Sequence, residues 1–591
     1  MDEVNPDEHD FTAAVSTAID NYPADQPPSL FLPEPMSFKA VLRLPEKVRD
    51  AWLKSWKGEL ANLFDKETFA KGEDYKGEKC LPVRAVLKTK LKSDGNIDKL
   101  KTRLAIRGDL DKDAPPDDNS APLATFRVLK VYLAESARRC RRVHQADYVG
   151  AYLQAYMKRR VFVMLPAEWA QYFPEYAEWF GVPLLLRKSA YGIDEAGRLW
   201  AETLFAWFDE FGFVQSVVEP SLFYYRKGEE WINLLSYSDD TLYTCSSDSI
   251  RSSFEKAMTT RFDCKLMGQA HWFLQARITQ HANFNITLDQ SRYAAAMSMR
   301  FLPLYDNVNI SPQDKLKYAA PLPSEFIFTK EDCSADYFEV KKLQDELGFE
   351  YPVGGGCLLW LLNTFPKLQF SVRKLVKFTQ LPGRNHFRAM LHVFHHIRCY
   401  HLVGLTFYSD VMDAPVTRLL FENDVPPSHP LIAYSDSSWQ DDQDTGRSTG
   451  GYILFMQGGV IDAASCLPDP VALSSAEAEY NTCCVAGTAA NACAMLIQEM
   501  LGNDPDTPLG VPVLLDNKSA ISMGNSFRDT KHNRHVLRRY HYTRWMVENG
   551  RIILIWVPGA VQLADACTKN LSAVAPTFIV FLAMVETPVP I

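Results

Sequence analysis

The stretch Leu234–Tyr243 reads LLSYSDDTLY. In the longer run WINLLSYSDDTLYTCSS, β-branched and aromatic residues flank Ser238-Asp239-Asp240, the composition of two strands joined by a tight turn. Two carboxylates about 4 Å apart repel, and one stays protonated unless something offsets the charge. The plain alternative is a solvated turn. The flanks are too apolar for a surface loop, however, and a third aspartate, Asp147, ends another strand-like piece in RRVHQADYVGAYLQ. Carboxylates gathered at strand ends suit Mg2+, which takes carboxylate oxygens together with substrate phosphates.

Bulk properties bound what surrounds this stretch. A chain of 591 residues exceeds one core, so roughly three to five domains are expected. A net charge of -9 excludes a globally basic nucleic-acid binder but leaves a local basic groove open. The 12 cysteines include no C-x-x-C pair, which predicts reduced thiols in an intracellular compartment, with neither a disulfide framework nor a zinc ribbon. Residues 1–35 are acidic and Pro-rich and read as a disordered leader rather than a secretory signal. The apolar run Phe578–Val585 falls far short of the about 20 residues of a membrane span, so no membrane partner is expected.

Apolar residues at helical spacing begin in SFKAVLRLPEKVRDAWLKSWKGELANL. A hairpin over 81–107, turning at Ser93-Asp94-Gly95, is basic, with eight Lys/Arg against two Asp from Arg84 to Arg107. Boundaries fall in a Pro- and Asp-rich loop near 302–335 and in the linker ENDVPPSHP. Beyond that linker, single acids sit at the ends of elements. Asp436 lies on a strand, and Glu477 and Glu479 follow the cap candidates Ser474 and Ser475. Asp516 ends a strand, and Asp565 lies early in a last helix. Each alone is more often a cap or turn residue; four together suit a two-metal nuclease site. The segment 527–544 carries six Lys/Arg against one Asp and reads as a phosphate-contacting face.

These motifs, taken in order, resemble the reverse transcriptases of Ty1/copia-type retrotransposons. The carriers are Gln145-Ala-Asp147-Tyr-Val-Gly-Ala-Tyr152-Leu153, LRKSAYGIDEAGRLW at 186–200, Tyr237-Ser238-Asp239-Asp240, and the primer-grip-like Phe273-Leu274-Gln275-Ala-Arg-Ile278. For the ribonuclease H domain that follows in the same family they are YSDSSW (434–439), RSTGGY (447–452), ALSSAEAEY (472–480), DNKSAI (516–521) and QLADACTK (562–569). The resemblance spans roughly residues 36–575. It implies an α/β and α+β multidomain chain: a right-hand polymerase of fingers, palm and thumb with a ferredoxin-like palm, a helical connection, and a ribonuclease H-like mixed sheet with helices. The divisions it suggests are a leader at 1–35, fingers at 36–130, palm at 131–265, thumb at 266–335, connection at 336–425, ribonuclease H at 426–575 and a tail at 576–591.

The resemblance further implies an RNA-directed DNA polymerase with ribonuclease H activity, and a set of site residues. Asp147, Asp239 and Asp240 would hold two Mg2+ ions at one site; Asp436, Glu479, Asp516 and Asp565 would hold two at the other, with Mn2+ an acceptable substitute. Glu479 is preferred to Glu477 because the Tyr-x-x-Cys that follows it fits ribonuclease H helices. Tyr152 would select deoxynucleotides, Lys101 and Arg103 would clamp the triphosphate, and Glu195 stands where the family has a nucleotide-holding Gln. Arg198, Phe273, Leu274, Lys531, Arg534, Arg538 and Arg539 would contact nucleic acid. The implied partners are an RNA template, a DNA primer, an RNA–DNA hybrid and deoxynucleoside triphosphates, with a homodimer compatible. The implied location is a cytoplasmic virus-like particle, with a nuclear phase. Without integrase and protease motifs, the chain reads as the polymerase–nuclease end of a longer polyprotein or a derivative of it.

Glu195 and Gly197 depart from the family's Gln and Pro, Gln275 from Gly, and Leu537 from Asp; a carboxylate at 195 is expected to repel a triphosphate. These departures define the competing reading, a degenerate or host-recruited copy that binds nucleic acid or protein without catalysis.

Overall fold

The structure is a computed structural model that describes residues 35, 37–91, 97–114, 121–306, 309–323, 326–423, 429–469, 471–526 and 537–590, with the side chains of 90, 91, 97, 98 and 537–541 outside the description. Its described residues form a mixed α/β multidomain chain with four sheets.

The first sheet is built on the long antiparallel hairpin of Cys80–Leu91 with Ile97–Ile106, joined by the short strands Phe162–Met164, Pro183–Leu186 and Phe69–Lys71. Helix α1 (Glu46–Asp65) covers it, burying Val48, Trp52, Trp56, Leu60 and Leu63 along one stripe. The turn expected at 93–95 lies outside the described residues.

The second sheet carries the opening stretch. Its strands are β1 (Val143–Tyr148), β2 (Phe213–Gln215), β3 (Leu222–Lys227), β4 (Glu230–Tyr237), β5 (Asp240–Cys245) and β6 (Cys264–Gln269), in the antiparallel order β6-β1-β5-β4-β3-β2. Strand alternation sends Leu235 and Leu242 into one core and Leu234 and Tyr243 into another. Helix α2 (Phe126–Arg138), capped by Thr125, packs in the first core. Helices α3 (Ala196–Phe211) and α4 (Asp248–Arg261) pack in the second.

In the third sheet β7 (Trp272–Phe273), β8 (Ala276–Gln280) and β9 (Ile286–Asp289) pair onward to β10 (Val403–Phe407) and then to the strand Thr587–Pro588. Residues 576–590 of the expected tail thus pack back on the fold. The helix Pro576–Val585 buries Phe578, Phe581 and Val585, because this short apolar run needs a core to cover it. Between β9 and β10 runs a helical segment that includes α5 (Gln369–Val376).

The fourth sheet has β11 (Leu431–Ser438), β12 (Thr449–Met456), β13 (Gly459–Cys466), β14 (Val511–Leu515) and β15 (Ile552–Trp556) in the order β13-β12-β11-β14-β15. The first three are antiparallel, and β14 and β15 run parallel to β11. Helix α7 (Ser475–Leu501) crosses it, following α6 (Arg384–Tyr400) in chain order. It is long and apolar enough by composition to cross a membrane, yet its apolar residues fill the core under this sheet. Ser474 caps its first turn through Glu477 N, and Gly502 ends it at φ +85. Helices α8 (Lys518–Asn525) and α9 (Leu537–Glu548) complete the layer.

One core runs across the second and fourth sheets. Helix α2 is buried nearly all round, as a helix packed between two layers must be. Arg139 and Arg226 both donate to the Met500 carbonyl at the end of α7, each at 2.9 Å.

Candidate active sites

In the first site, the β1–β5 ladder sets Asp147 opposite Asp240, and Tyr148 N donates to the Asp239 carbonyl at 2.8 Å. The strand-end spacing read from sequence therefore brings the three aspartates together. Burial, reinforced by Asp239 and Asp147, pushes the Asp240 carboxyl up to about 6, against a 3.0 Å hydrogen bond from Gln145. The turn itself is held from below. Ser238 adopts a left-handed φ of +51, which costs a non-glycine residue roughly 1–2 kcal/mol. The Trp200 indole donates to its carbonyl at 2.7 Å, and its hydroxyl lies 3.4 Å from that of Tyr152.

A cavity of about 390 Å³ opens beside the turn, lined by Tyr152, Gly197, Trp200, Ser238 and Asp239 among others. Tyr152 gets there because Gly150, at φ +61, bends the chain off β1 into the short turn Ala151–Gln154. Its ring meets Tyr191 edge-on at 5.3 Å, and the Arg103 guanidinium lies 4.8 Å over Tyr191. Burial raises the Tyr191 hydroxyl pKa, with Asp239 and Tyr152 contributing. Tyr191 was missed in the sequence reading although it stands in the quoted 186–200 motif. Its signal is the next residue: Gly192 has φ +90, and a side chain there would collide with the Ile106 carbonyl. The segment is pressed against the basic hairpin, and only glycine permits the approach.

The other polymerase-side residues divide. Lys101 and Arg103 lie on Ile97–Ile106 and share the field of Glu59, whose carboxyl pKa burial raises and these two cations lower. Glu195 corrects an expectation. It is only 2% exposed, with the Arg159 guanidinium gripping both its oxygens at 2.7 and 3.1 Å and bonding Asp111 at 2.6 Å. Its charge is paired within the fold, where it shares Arg159 with Asp111. Arg198 pairs with Glu202 at 2.6 Å on the same helix. Phe273 is a second correction: it is fully buried and sets its ring edge-on to Tyr237 at 6.1 Å, so it supports the turn and has no face for nucleic acid. Leu274 and Gln275, at φ +49 and +59, make the tight β7–β8 turn, with Leu274 partly buried.

The second site gathers carboxylates from four elements. Asp436 on β11, Glu479 on α7 and Asp516 just past β14 each place an oxygen within 4.8 Å of the others. Asp565 joins from the short 3-10 turn Leu563–Cys567, not from the expected helix. That turn lies so close to β12 that a side chain at Gly451, opposite Asp436, would meet Cys567 Cβ at 2.6 Å. Thr568 Oγ1 donates to Asp436 Oδ2, and Lys569 Nζ lies 2.9 Å from Asp565 Oδ1 and 3.8 Å from Asp436 Oδ2.

Burial, then Asp436 and Asp516, push Glu479 up to about 9; burial, then Asp436, push Asp565 up to about 7, with Lys569 opposing. Asp516 is raised for the same reasons. Glu479 and Glu477 each bury one oxygen without a hydrogen-bond partner, but Glu477 accepts from Leu473 N at 2.9 Å and serves the helix start, whereas Glu479 lies within 4.8 Å of Asp436 and Asp516. Glu479 is thus the glutamate that meets the aspartates. Crowded, buried carboxylates with an orphan oxygen are the donor set of a hard divalent cation. Lys531 and Arg534 lie outside the described residues. Arg538 and Arg539 lie on α9, with side chains outside the description. Thr568 and Lys569 were quoted in a motif but given no role.

Residues 66–309 match the family of the reverse transcriptase (RNA-dependent DNA polymerase). The chain is 27% identical over 501 residues to the retrovirus-related Pol polyprotein from transposon RE2 of Arabidopsis thaliana, covering 83% of this chain and 31% of that protein. It is 25% identical over 540 residues to the one from transposon TNT 1-94 of Nicotiana tabacum, covering 91% and 38%. The chain therefore spans about a third of the length of these relatives. Among solved structures, a foamy viral protease-reverse transcriptase in complex with double-stranded DNA is similar over 85% of this chain and 69% of that one, at 11% identity and a TM-score of 0.42. By these matches, residues 66–309 carry a reverse transcriptase region, and most of the chain's length resembles the Pol polyproteins of Ty1/copia-type retrotransposons.

Proposed function

We propose that the chain is an RNA-directed DNA polymerase whose C-terminal part degrades the RNA of the hybrid it makes. The observation that carries the reading is the pairing of Asp147 with Asp240 beneath a turn that presents Asp239 to a cavity lined by Tyr152, whose ring packs on Arg103's platform, Tyr191. In this reading the second sheet is the palm, the first the fingers, and the fourth the ribonuclease H sheet. Strand order β13-β12-β11-β14-β15, with its switch from antiparallel to parallel, supports the last. The 266–335 thumb and 336–425 connection share the third sheet, because β9 pairs with β10.

Mg2+ or Mn2+ at Asp147, Asp239 and Asp240, and at Asp436, Glu479, Asp516 and Asp565, would lower the pKa of the attacking hydroxyl or water and offset phosphate charge. The protein's own part is positional. Trp200 fixes the Ser238 carbonyl and hence the direction of Asp239. Tyr152 walls the cavity where a sugar would sit and crowds a 2′-hydroxyl. Arg103, now over Tyr191, is placed to meet the triphosphate or the base. Thr568 orients Asp436. RNA template, DNA primer and deoxynucleoside triphosphates are the partners this geometry serves.

The competing reading of a non-catalytic copy drew on Glu195. The burial of Glu195 and its pairing with Arg159 support the catalytic reading at that position, while Gly197 and Leu537 remain departures. Primer extension on an RNA template with Mg2+ tests the polymerase, beside an Asp239→Asn control. Equal incorporation by both proteins refutes it. Hybrid cleavage that persists in Asp436→Asn refutes the nuclease assignment.

A further inference from the structure

The carboxylate cluster of the fourth sheet contains a cation of its own. Lys569 lies one turn beyond Asp565, held there by its backbone N–H on the Asp565 carbonyl at 3.2 Å. Its ammonium bridges Asp565 at 2.9 Å and Asp436 at 3.8 Å. The side chain is 44% exposed, so the amine sits at the mouth of the cluster while Glu479 forms its floor. Asp436, Glu479 and Asp516 converge without it. Beside it runs a groove of about 250 Å³ lined by Phe328, Phe370, Lys377, Ser438, Asn570 and Lys569 itself. The aromatic wall can take the apolar stem of a lysine that lets go of its carboxylates.

The ribonuclease H reading needs two divalent ions among four carboxylates, and this inference rests on that reading. The cluster offers two unequal places. One, among Asp436, Glu479 and Asp516, feels the ammonium across 3.8 Å at Asp436. The other, between Asp436 and Asp565, is taken by an ammonium. We propose that Lys569 is a tethered cation that occupies the Asp436–Asp565 place in the metal-free protein and must swing into the adjoining groove for a second divalent ion to bind. It offsets the repulsion of the aspartates while the site is empty. It also weakens the second ion relative to the first, so that this ion binds late and leaves readily.

The test is calorimetric titration of the full-length protein with MnCl2, in the D147N/D239N/D240N background that removes the first site's carboxylates, for the parent, K569Q, K569R and D436N. The parent should show one tight and one weak class. K569Q should tighten the weak class on the order of tenfold, even with near-water screening, and leave the tight class nearly unchanged. K569R, which keeps the charge, should behave as the parent. Without metal, K569Q should melt below the parent and gain more from Mn2+, a sign a merely structural lysine would not show. An unchanged weak class in K569Q overturns the inference, as does equal tightening in K569R. If parent and D436N take up Mn2+ alike, the ribonuclease H reading itself falls, a result distinct from a failure of Lys569.

Discussion

Replacing Glu479 with glutamine should make the metal-free protein more stable at neutral pH, although it deletes a site residue. Burial, Asp436 and Asp516 push this carboxyl up to about 9, against about 4.3 in an unfolded chain. Between those values the folded state keeps a proton that the unfolded state has released. The unfolded state thus binds fewer protons, and stability falls as pH rises through this window, by at most about 1.36 kcal/mol per unit. By pH 7 the full slope amounts to roughly 4 kcal/mol; the sharing of charge with Asp436 and Asp516 brings it nearer ~2 kcal/mol. Glutamine keeps the shape, carries no charge, and can donate to Asp436. In EDTA, Glu479→Gln should raise the melting temperature of the fourth-sheet unit by a few degrees and flatten its pH dependence between about 5 and 8. In MgCl2 the order should reverse, since the wild type gains a ligand the variant lacks. Scanning calorimetry across that range decides it. A variant that melts below wild type in EDTA, or pH slopes that run parallel, would refute the account of a strained carboxylate cluster.

Three further outcomes follow from the first site and its surroundings. Trp200→Phe removes the donor to the Ser238 carbonyl; the fold should persist while single-turnover incorporation falls roughly tenfold, the rate equivalent of one hydrogen bond of about 1.4 kcal/mol, and an unchanged rate would count against the turn being positioned this way. Arg159→Met strands Glu195, at 2% exposure, as an unpaired buried charge and should cost about 3–5 kcal/mol; adding Glu195→Gln should recover most of it, as read by urea unfolding. Tyr191→Ala should raise the apparent KM for deoxynucleotides while Tyr191→Phe leaves it near wild type, because the Arg103 platform is the ring and not the hydroxyl; steady-state primer extension distinguishes the two.

The reach of the sequence varied with the distance over which each feature is decided. The Asp239-Asp240 turn was legible because a hairpin is local: residues a few positions apart set both strands and the turn. The same holds for the Ser474 cap, which puts Glu477 and Glu479 in the first turns of their helix. Glu195 misled because its partner, Arg159, lies 36 residues away, and a charge looks unpaired until the fold supplies its counterion. Phe273 misled in the other direction, as an aromatic near a motif whose burial under Tyr237 depends on a sheet it does not itself form.

By itself the sequence determined the likeness to reverse transcriptases, the strand and helix periods, and the carboxylates that strand ends would deliver, since these rest on short-range pattern and turn chemistry. The tertiary structure alone decided how the parts meet. It runs one core from the second sheet to the fourth across α2, and ties the end of α7 to Arg139 and Arg226. It folds residues 576–590 back onto the third sheet, and places Lys569 between Asp436 and Asp565. Such outcomes depend on apolar faces finding one another and on charges separated by up to hundreds of residues, and no local pattern in a chain encodes them.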